Sequence, residues 1–173
     1  MFYKEAHKIK NRKNPKDVFY TPLNLVETHL NMFLDIPNNS TVLDPFAGKK
    51  VYYNEMKKRF LNCKIEYTEI DEGLDFFKYD GNPDYIISNP PYSLINNVLE
   101  HSVKLKPKII SYLLGFHNIT PKRIEYMNNN GYFIKDFHLT KVYSWFGFSI
   151  IITFSNEIKK NVITFDKNIH KNI

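Results

Sequence analysis

Thr41-Val42-Leu43-Asp44-Pro45-Phe46-Ala47-Gly48 is the stretch on which the fold turns. Its apolar run is too short for a buried helix, and an acid, a proline and a small-residue turn end it. It reads as a buried strand stopping at Asp44, followed by a helical stretch over 50–60. The same punctuation recurs downstream. Lys64-Ile65-Glu66-Tyr67-Thr68 stops at Glu69-Ile70-Asp71, and Tyr85-Ile86-Ile87-Ser88 stops at Asn89-Pro90-Pro91-Tyr92. Residues 109–114 form a further apolar run. Short apolar strands alternating with helical segments predict a mostly parallel sheet with helices on both faces.

The flanks complete the pattern. Thr21-Pro22 is a good helix start, and Leu23, Val26, Leu30, Phe33 and Leu34 follow at helical spacing. Leu94, Val98 and Val103 mark another helix, and 121–128 a third, closed by Asn128-Asn129-Asn130-Gly131. Residues 131–143 and 148–154 read as a closing antiparallel pair joined through Ser144-Trp145-Phe146-Gly147. Residues 74–77 fit either a short strand or a turn. One domain is expected over 17–155, between a basic arm (1–16) and a polar tail (156–173) with an edge strand near 162–165.

The chain has 173 residues, 43% hydrophobic and 24% charged, which is ordinary globular composition. It excludes a wholly disordered chain, a coiled coil and a collagen-like fibre. A single cysteine, Cys63, excludes an internal disulfide framework and a cysteine-rich zinc site. The six histidines are scattered without ligand spacing, so no metal is expected. No apolar run has the length of a membrane helix and the start has no signal-like apolar region, so a soluble, intracellular protein without a membrane partner is expected. The net charge of +6 favours a polyanionic partner, with nucleic acid first, although lysine is also a common surface residue.

In parallel sheets ligands sit at the carboxyl ends of the strands, and the polar residues Asp44, Glu69 and Asn89 stand at three such ends. Gly48 lets backbone approach a ligand closely, while Asp44 suits a cationic or donor group. Glu69 stands where a carboxylate accepts both hydroxyls of a ribose, with Asp71 as its fallback; a solvent-facing acid is the alternative. Asn89-Pro90-Pro91-Tyr92 is the sharpest signal. The prolines lock the backbone, so the Asn89 side chain and the Pro90 carbonyl become oriented acceptors for the two hydrogens of an exocyclic amino group. Tyr92 offers a ring that stacks on a planar substrate.

With these residues in place, the sequence resembles the S-adenosylmethionine-dependent amino-methyltransferases, in particular the N6-adenine DNA methyltransferases of phage and restriction–modification type. The resemblance spans roughly residues 17–155 and is carried by Asp17-Val18-Phe19-Tyr20-Thr21-Pro22, Val42 to Gly48, Tyr67 to Asp71, Asp75-Phe76-Phe77 and Asn89 to Tyr92, in the family's order. It implies a Rossmann-like class I methyltransferase fold, with about seven strands and the last antiparallel. It implies S-adenosylmethionine as cofactor, held by Tyr20, Thr21, Pro22, Asp44, Phe46, Gly48, Glu69, Ile70, Asp75 and Phe76. Glu69 then meets the ribose, Asp75 the adenine amino group, and Phe76 the adenine ring. Asn89, Pro90, Pro91 and Tyr92 become the catalytic set. Tyr92 and Trp145 become the aromatic faces for the target base, with a core-capping role for Trp145 as the alternative.

Two departures stand out. Lys50 occupies the place of the family's second glycine, where it would crowd the cofactor or set a cation near its carboxylate. The stretch after the last core strand is short for a target-recognition region. Recognition is therefore expected from the basic arm, from a protein partner, or from a structured or single-stranded substrate. The target implied is adenine N6 in DNA, then in RNA. A protein glutamine methyltransferase and a non-catalytic nucleic-acid-binding subunit are the other readings.

Overall fold

Along each strand, side chains alternate between the two faces of one sheet. In β1 (Thr41–Asp44), Val42 enters one apolar layer and Leu43 the other, both fully buried. In β3 (Tyr85–Ser88), Ile87 and Ile86 divide in the same way. With β2 (Lys64–Tyr67), β4 (Ile109–Gly115), β5 (Phe133–Thr140) and β6 (Ser149–Ser155), these strands form a six-stranded sheet of order β2-β1-β3-β4-β6-β5. The β2/β1, β1/β3 and β3/β4 pairs are parallel, and β6 runs antiparallel between β4 and β5. This computed structural model describes residues 21–141, 147–161 and 163.

Helices cover both faces, as the alternation of runs required. On one side α1 (Leu23–Leu30) and α2 (Val51–Arg59) bring Val26, Leu30, Tyr52 and Met56 onto Val42 and Ile87. On the other, α3 (Ile95–Lys104) and α4 (Pro121–Asn129) bring Val98, Leu99, Ile124 and Met127 onto Leu43, Ile86 and Ile110. Each such fully buried aliphatic side chain contributes about 1.5–3 kcal/mol relative to exposure. The start of α4 follows its sequence: Pro121 opens the first turn, and the Thr120 hydroxyl accepts the Arg123 N–H at 3.3 Å.

One expectation is corrected and one open alternative is decided. The sheet has six strands among the described residues rather than about seven. Residues 74–77 do not form a strand: Asp75 accepts the Phe77 N–H at 3.0 Å and so folds Phe76–Lys78 into a 3-10 turn. The basic arm lies outside the described residues, as do the positions of the expected edge strand except Ile163, which packs against the core.

Polar groups tie the layers in register. At the amino ends of the strands, the Asp84 carboxylate accepts the Thr41 N–H at 2.9 Å and pairs with Lys108 at 3.1 Å. Between α1 and the sheet, fully buried His29 bonds Tyr52 through Nδ1 and Ser111 through Nε2, each at 2.8 Å. Ser111 continues to Thr153 at 2.8 Å. Burial pushes the His29 imidazole down to about 3, with His138 adding a smaller push in the same direction.

This sets a pH dependence. The unfolded chain takes up a proton on His29 near its ordinary 6.5, while the native state stays neutral down to about 3. The stability contributed by neutral His29 is therefore full above pH 6.5 and is lost as pH falls below it, by up to about 1.4 kcal/mol per pH unit. Urea unfolding of the wild type and of His29→Gln should show their stability difference shrinking between pH 6.5 and 4.5. A difference that stays constant over that range contradicts the account.

Candidate active site

β1 lies between β2 and β3, at the switch in strand order beyond whose carboxyl ends such sheets bind their ligands. The β1/β3 ladder pairs Val42 with Tyr85 and Leu43 with Ile86. Beyond that register, a side-chain bond joins the two strands: the Ser88 hydroxyl donates to Asp44 Oδ1 at 2.6 Å. The Phe46 N–H adds a long 3.4 Å contact to the same oxygen. Asp44 is fully buried, and its Oδ2 has no hydrogen-bond partner among the described residues. Burial pushes its carboxyl up to about 7, against the opposing pull of the Ser88 and backbone hydrogen bonds.

The loop after Asp44 is stitched to the end of β2. Thr68 donates its hydroxyl to the Pro45 carbonyl at 2.6 Å, and its own carbonyl accepts the Ala47 N–H at 3.1 Å. Gly48 takes φ +51°, a left-handed conformation suited to glycine. Its N–H points at Glu69 Oε2, 2.5 Å away, while Glu69 Oε1 accepts the Asp71 N–H at 3.2 Å. An ionised carboxylate has about four acceptor sites, so Glu69 retains capacity for hydroxyl donors.

Lys50 is also left-handed, at φ +60°. Its ammonium pairs with Glu72 at 2.8 Å, bonds the Tyr67 hydroxyl at 3.1 Å and lies 4.4 Å from the Tyr67 ring centre. These partners hold the Lys50 pKa above its ordinary value and the Glu72 pKa below. The lysine is thus engaged on the β2 side.

Asn89 follows Ser88 at the end of β3. Its side-chain Nδ2 donates to the Thr21 hydroxyl oxygen at 3.0 Å, which joins the segment before α1 to the proline turn. Pro90 is buried, Pro91 is extended with φ −65°, and Tyr92 opens a 3-10 turn with its ring 6.4 Å from that of His117. Pro22 caps α1 directly beside Thr21.

The structure therefore brings Thr21, Pro22, Asp44, Phe46, Gly48, Glu69 and Asn89 to Tyr92 to adjacent strand ends. Next to Glu69, Ile70 is 67% exposed, an apolar side chain open to a ligand. Phe76 is only 3% exposed: its ring packs in the core, 5.1 Å from Phe46, and Phe77 beside it is the open one. Asp75 caps its own turn. Tyr20 and Trp145 lie outside the described residues. Sequence reasoning missed Thr68 and Ser88, whose partners are remote in the chain. It also gave no site role to His117 and to exposed Phe116, on the turn after β4. Among the described residues, no group of acids, histidines or cysteines is arranged to hold a metal ion, and no helix is long and apolar enough to cross a membrane.

No family model and no curated protein matches the chain. Solved structures do. A precorrin-6y C5,15-methyltransferase from Geobacter metallireducens superposes with a TM-score of 0.57 at 16% identity, over 80% of this chain and 94% of that one. TrmK from M. capricolum, in complex with S-adenosylhomocysteine, gives 0.60 at 13% identity, over 82% and 70%. A tRNA methyltransferase from M. jannaschii gives 0.54 at 15% identity, over 80% of this chain and about half (51%) of that one. The chain has a methyltransferase fold.

Within this methyltransferase fold, the chain's own residues fit a methyl donor. The buried, unpartnered Asp44 oxygen complements a cationic group, Glu69 has acceptor capacity for ribose hydroxyls, and Ile70 offers exposed apolar surface. The raised Asp44 pKa makes a testable demand. Its folded value, about 7, stands above the unfolded 3.8, so the stability this group contributes is full below pH 3.8 and is lost as pH rises to 7. Asp44→Asn lacks that loss. In urea unfolding without ligand, it should gain on the wild type between pH 4 and 8 by on the order of 2–4 kcal/mol. A pH-independent difference contradicts a buried, strained carboxylate.

Proposed function

We propose that the chain is an S-adenosylmethionine-dependent methyltransferase that acts on an exocyclic amino group, adenine N6 in DNA. The observation that carries this reading is the oriented Asn89 amide, set in a proline turn beside the buried Asp44–Ser88 pair. The methyltransferase fold and the acceptor set at the β1 and β2 ends support the cofactor assignment.

In this reading Asn89 Oδ1 and the Pro90 carbonyl accept the two hydrogens of the substrate amino group. They turn its nitrogen lone pair towards the donor without a charged base. The bound cofactor supplies an electrophilic methyl group on a sulfonium. Tyr92 stacks on the base, and the rigid proline turn fixes the distance between acceptor and stack. Most of the acceleration then comes from positioning and pre-oriented dipoles. In a duplex the target nitrogen is paired inside the helix, so the base must leave the stack.

The net charge of +6 favours nucleic acid over protein glutamine as the carrier of that amino group. RNA adenine is the second reading, and the likeness to a tRNA methyltransferase favours it. A protein partner that supplies target recognition belongs to the same proposal.

The test is transfer of labelled methyl from S-adenosylmethionine to single-stranded DNA, duplex DNA and RNA of mixed sequence. Label should enter DNA as N6-methyladenine. Asn89→Ala should lose at least about a hundredfold in turnover, the scale of removing a pre-oriented polar group from a transition state. It should still bind the cofactor. Full turnover in that variant contradicts the mechanism, and label confined to RNA moves the substrate to the second reading.

A further inference from the structure

The ligand end of the sheet extends past Asn89 to the ends of β4 and β6, whose ladder closes at Gly115 and Ser149. Just beyond that pair stand Phe116, 52% exposed, and Phe148, 59% exposed. The strand register sets the side of the sheet they share. Phe137 pairs with Ile152 and Leu139 with Ile150, and both isoleucines lie in the core layer under α3 and α4. Phe116 meets Phe137 edge-on, with ring centres 6.3 Å apart, and exposed Leu139 adds apolar surface on the same side. Phe148 precedes Ser149, so alternation turns its ring to that side as well. His117, next to Phe116, has its ring 6.4 Å from that of Tyr92, so the patch begins beside the proline turn.

We propose that Phe116 and Phe148 form a stacking platform for unpaired bases of a single-stranded polynucleotide, next to the target base. The inference rests on the reading that the target base enters beside Tyr92, and it names the form of nucleic acid that brings it there. An unpaired base offers a flat apolar face, and each nucleotide carries a negative phosphate, so a strand needs open rings with cations beside them. Lys141 Nζ lies 5.9 Å from the Phe148 ring centre and supplies such a cation. The net charge of +6 has the sign that attracts a polyanion and repels a second copy of the chain. In a duplex the base faces cover one another, and open rings would meet only sugar and phosphate.

The backbone under both rings is pinned. The Phe116 N–H donates to the Phe148 carbonyl at 2.9 Å and ties the two residues together. The Phe116 carbonyl accepts the Ile119 N–H at 3.1 Å and closes the 3-10 turn Phe116–Asn118. Arg123 on α4 clamps that turn: its guanidinium donates to the Asn118 carbonyl at 2.5 Å and to Asn96 Oδ1 on α3 at 2.8 Å. Rings on a fixed backbone lose little freedom when a base stacks on them, so more of the contact energy appears as affinity.

Fluorescence anisotropy with labelled single-stranded DNA, single-stranded RNA and duplex DNA of mixed sequence tests this. Phe116→Ala and Phe148→Ala should each weaken single-strand binding roughly tenfold, the scale of one lost base stack. DNA and RNA strands should lose affinity alike, because stacking does not read the sugar. Duplex affinity and the S-adenosylmethionine Kd should stay within about twofold. Phe148→Trp keeps a ring and should bind as the wild type does, whereas Phe148→Leu keeps apolar surface alone and should not. Lys141→Ala should reduce the slope of log affinity against log salt by about 0.7, the share of one phosphate contact on a single strand.

Unchanged single-strand affinity in both alanine variants overturns the proposal, and so does a wild type that binds no strand. Equal losses for the duplex, or full binding by Phe148→Leu, overturn it as well, because the rings then do not stack on unpaired bases. Sedimentation in which the alanine variants dissociate a wild-type dimer also overturns it: the patch then joins two copies of the chain. Failure of the amino-transfer reading looks different, because the binding readouts involve no methyl transfer. A chain whose strand affinity depends on both rings, but which methylates no substrate, supports the platform and removes that reading.

Discussion

A fully buried carboxylate is the constraint on which the rest of the structure depends. Asp44 ends β1 inside the sheet, where an ionised group is costly unless it is paired. One of its oxygens receives the Ser88 hydroxyl, and that bond ties the ends of β1 and β3 where their ladder has stopped. The second oxygen has no hydrogen-bond partner among the described residues. The protein thus carries an unfavourable group at the point where its sheet order reverses. Such groups persist where they serve a ligand, and a cation there would restore the ionised form.

Around that group the polypeptide is fastened from several directions. Thr68 binds the loop after β1 to the end of β2, and Glu69 faces the Gly48 N–H in the same loop. Lys50 stands left-handed, a conformation that costs a non-glycine residue about 1 kcal/mol or more. Its pairing with Glu72 and Tyr67 holds the side chain in that conformation, although solvent screens an exposed ion pair strongly. A lysine in a glycine position is therefore accommodated on the β2 side. On the far side of β1, Thr21 and the proline turn hold Asn89. The Asp44–Ser88 bond thus lies between the Glu69–Gly48 contact on one side and the Thr21–Asn89 contact on the other.

Much of this was legible in the residues. The runs ending at Asp44 and Asn89 are short and apolar, the one ending at Glu69 alternates polar and apolar residues, and all three are sharply broken, so both the strands and the polar groups at their ends could be read directly. The antiparallel closing pair was legible from the apolar run of its second strand and the turn residues between the two. Residues 74–77 were ambiguous because an apolar pair after an acid fits a strand and a turn equally well; the Asp75 side chain decides, by capping Phe77. The roles of Ser88, Thr68 and His29 were not legible. Ser88 meets Asp44 across 44 positions, Thr68 meets Pro45 across 23, and His29 meets Ser111 across 82. No local pattern encodes such partners. His29 even falls within a helix face that reads as plainly apolar.

The central claim is that the crevice at the ends of β1, β2 and β3 is a methyl-donor site built around Asp44. Backbone amide NMR of the whole chain during titration with S-adenosylmethionine tests it most directly. The account predicts saturable shifts concentrated at 44–48, 69–72 and 89–92, and their loss on substitution of Glu69 by alanine. Shifts centred elsewhere in the sheet, or no saturable shifts at all, would contradict it.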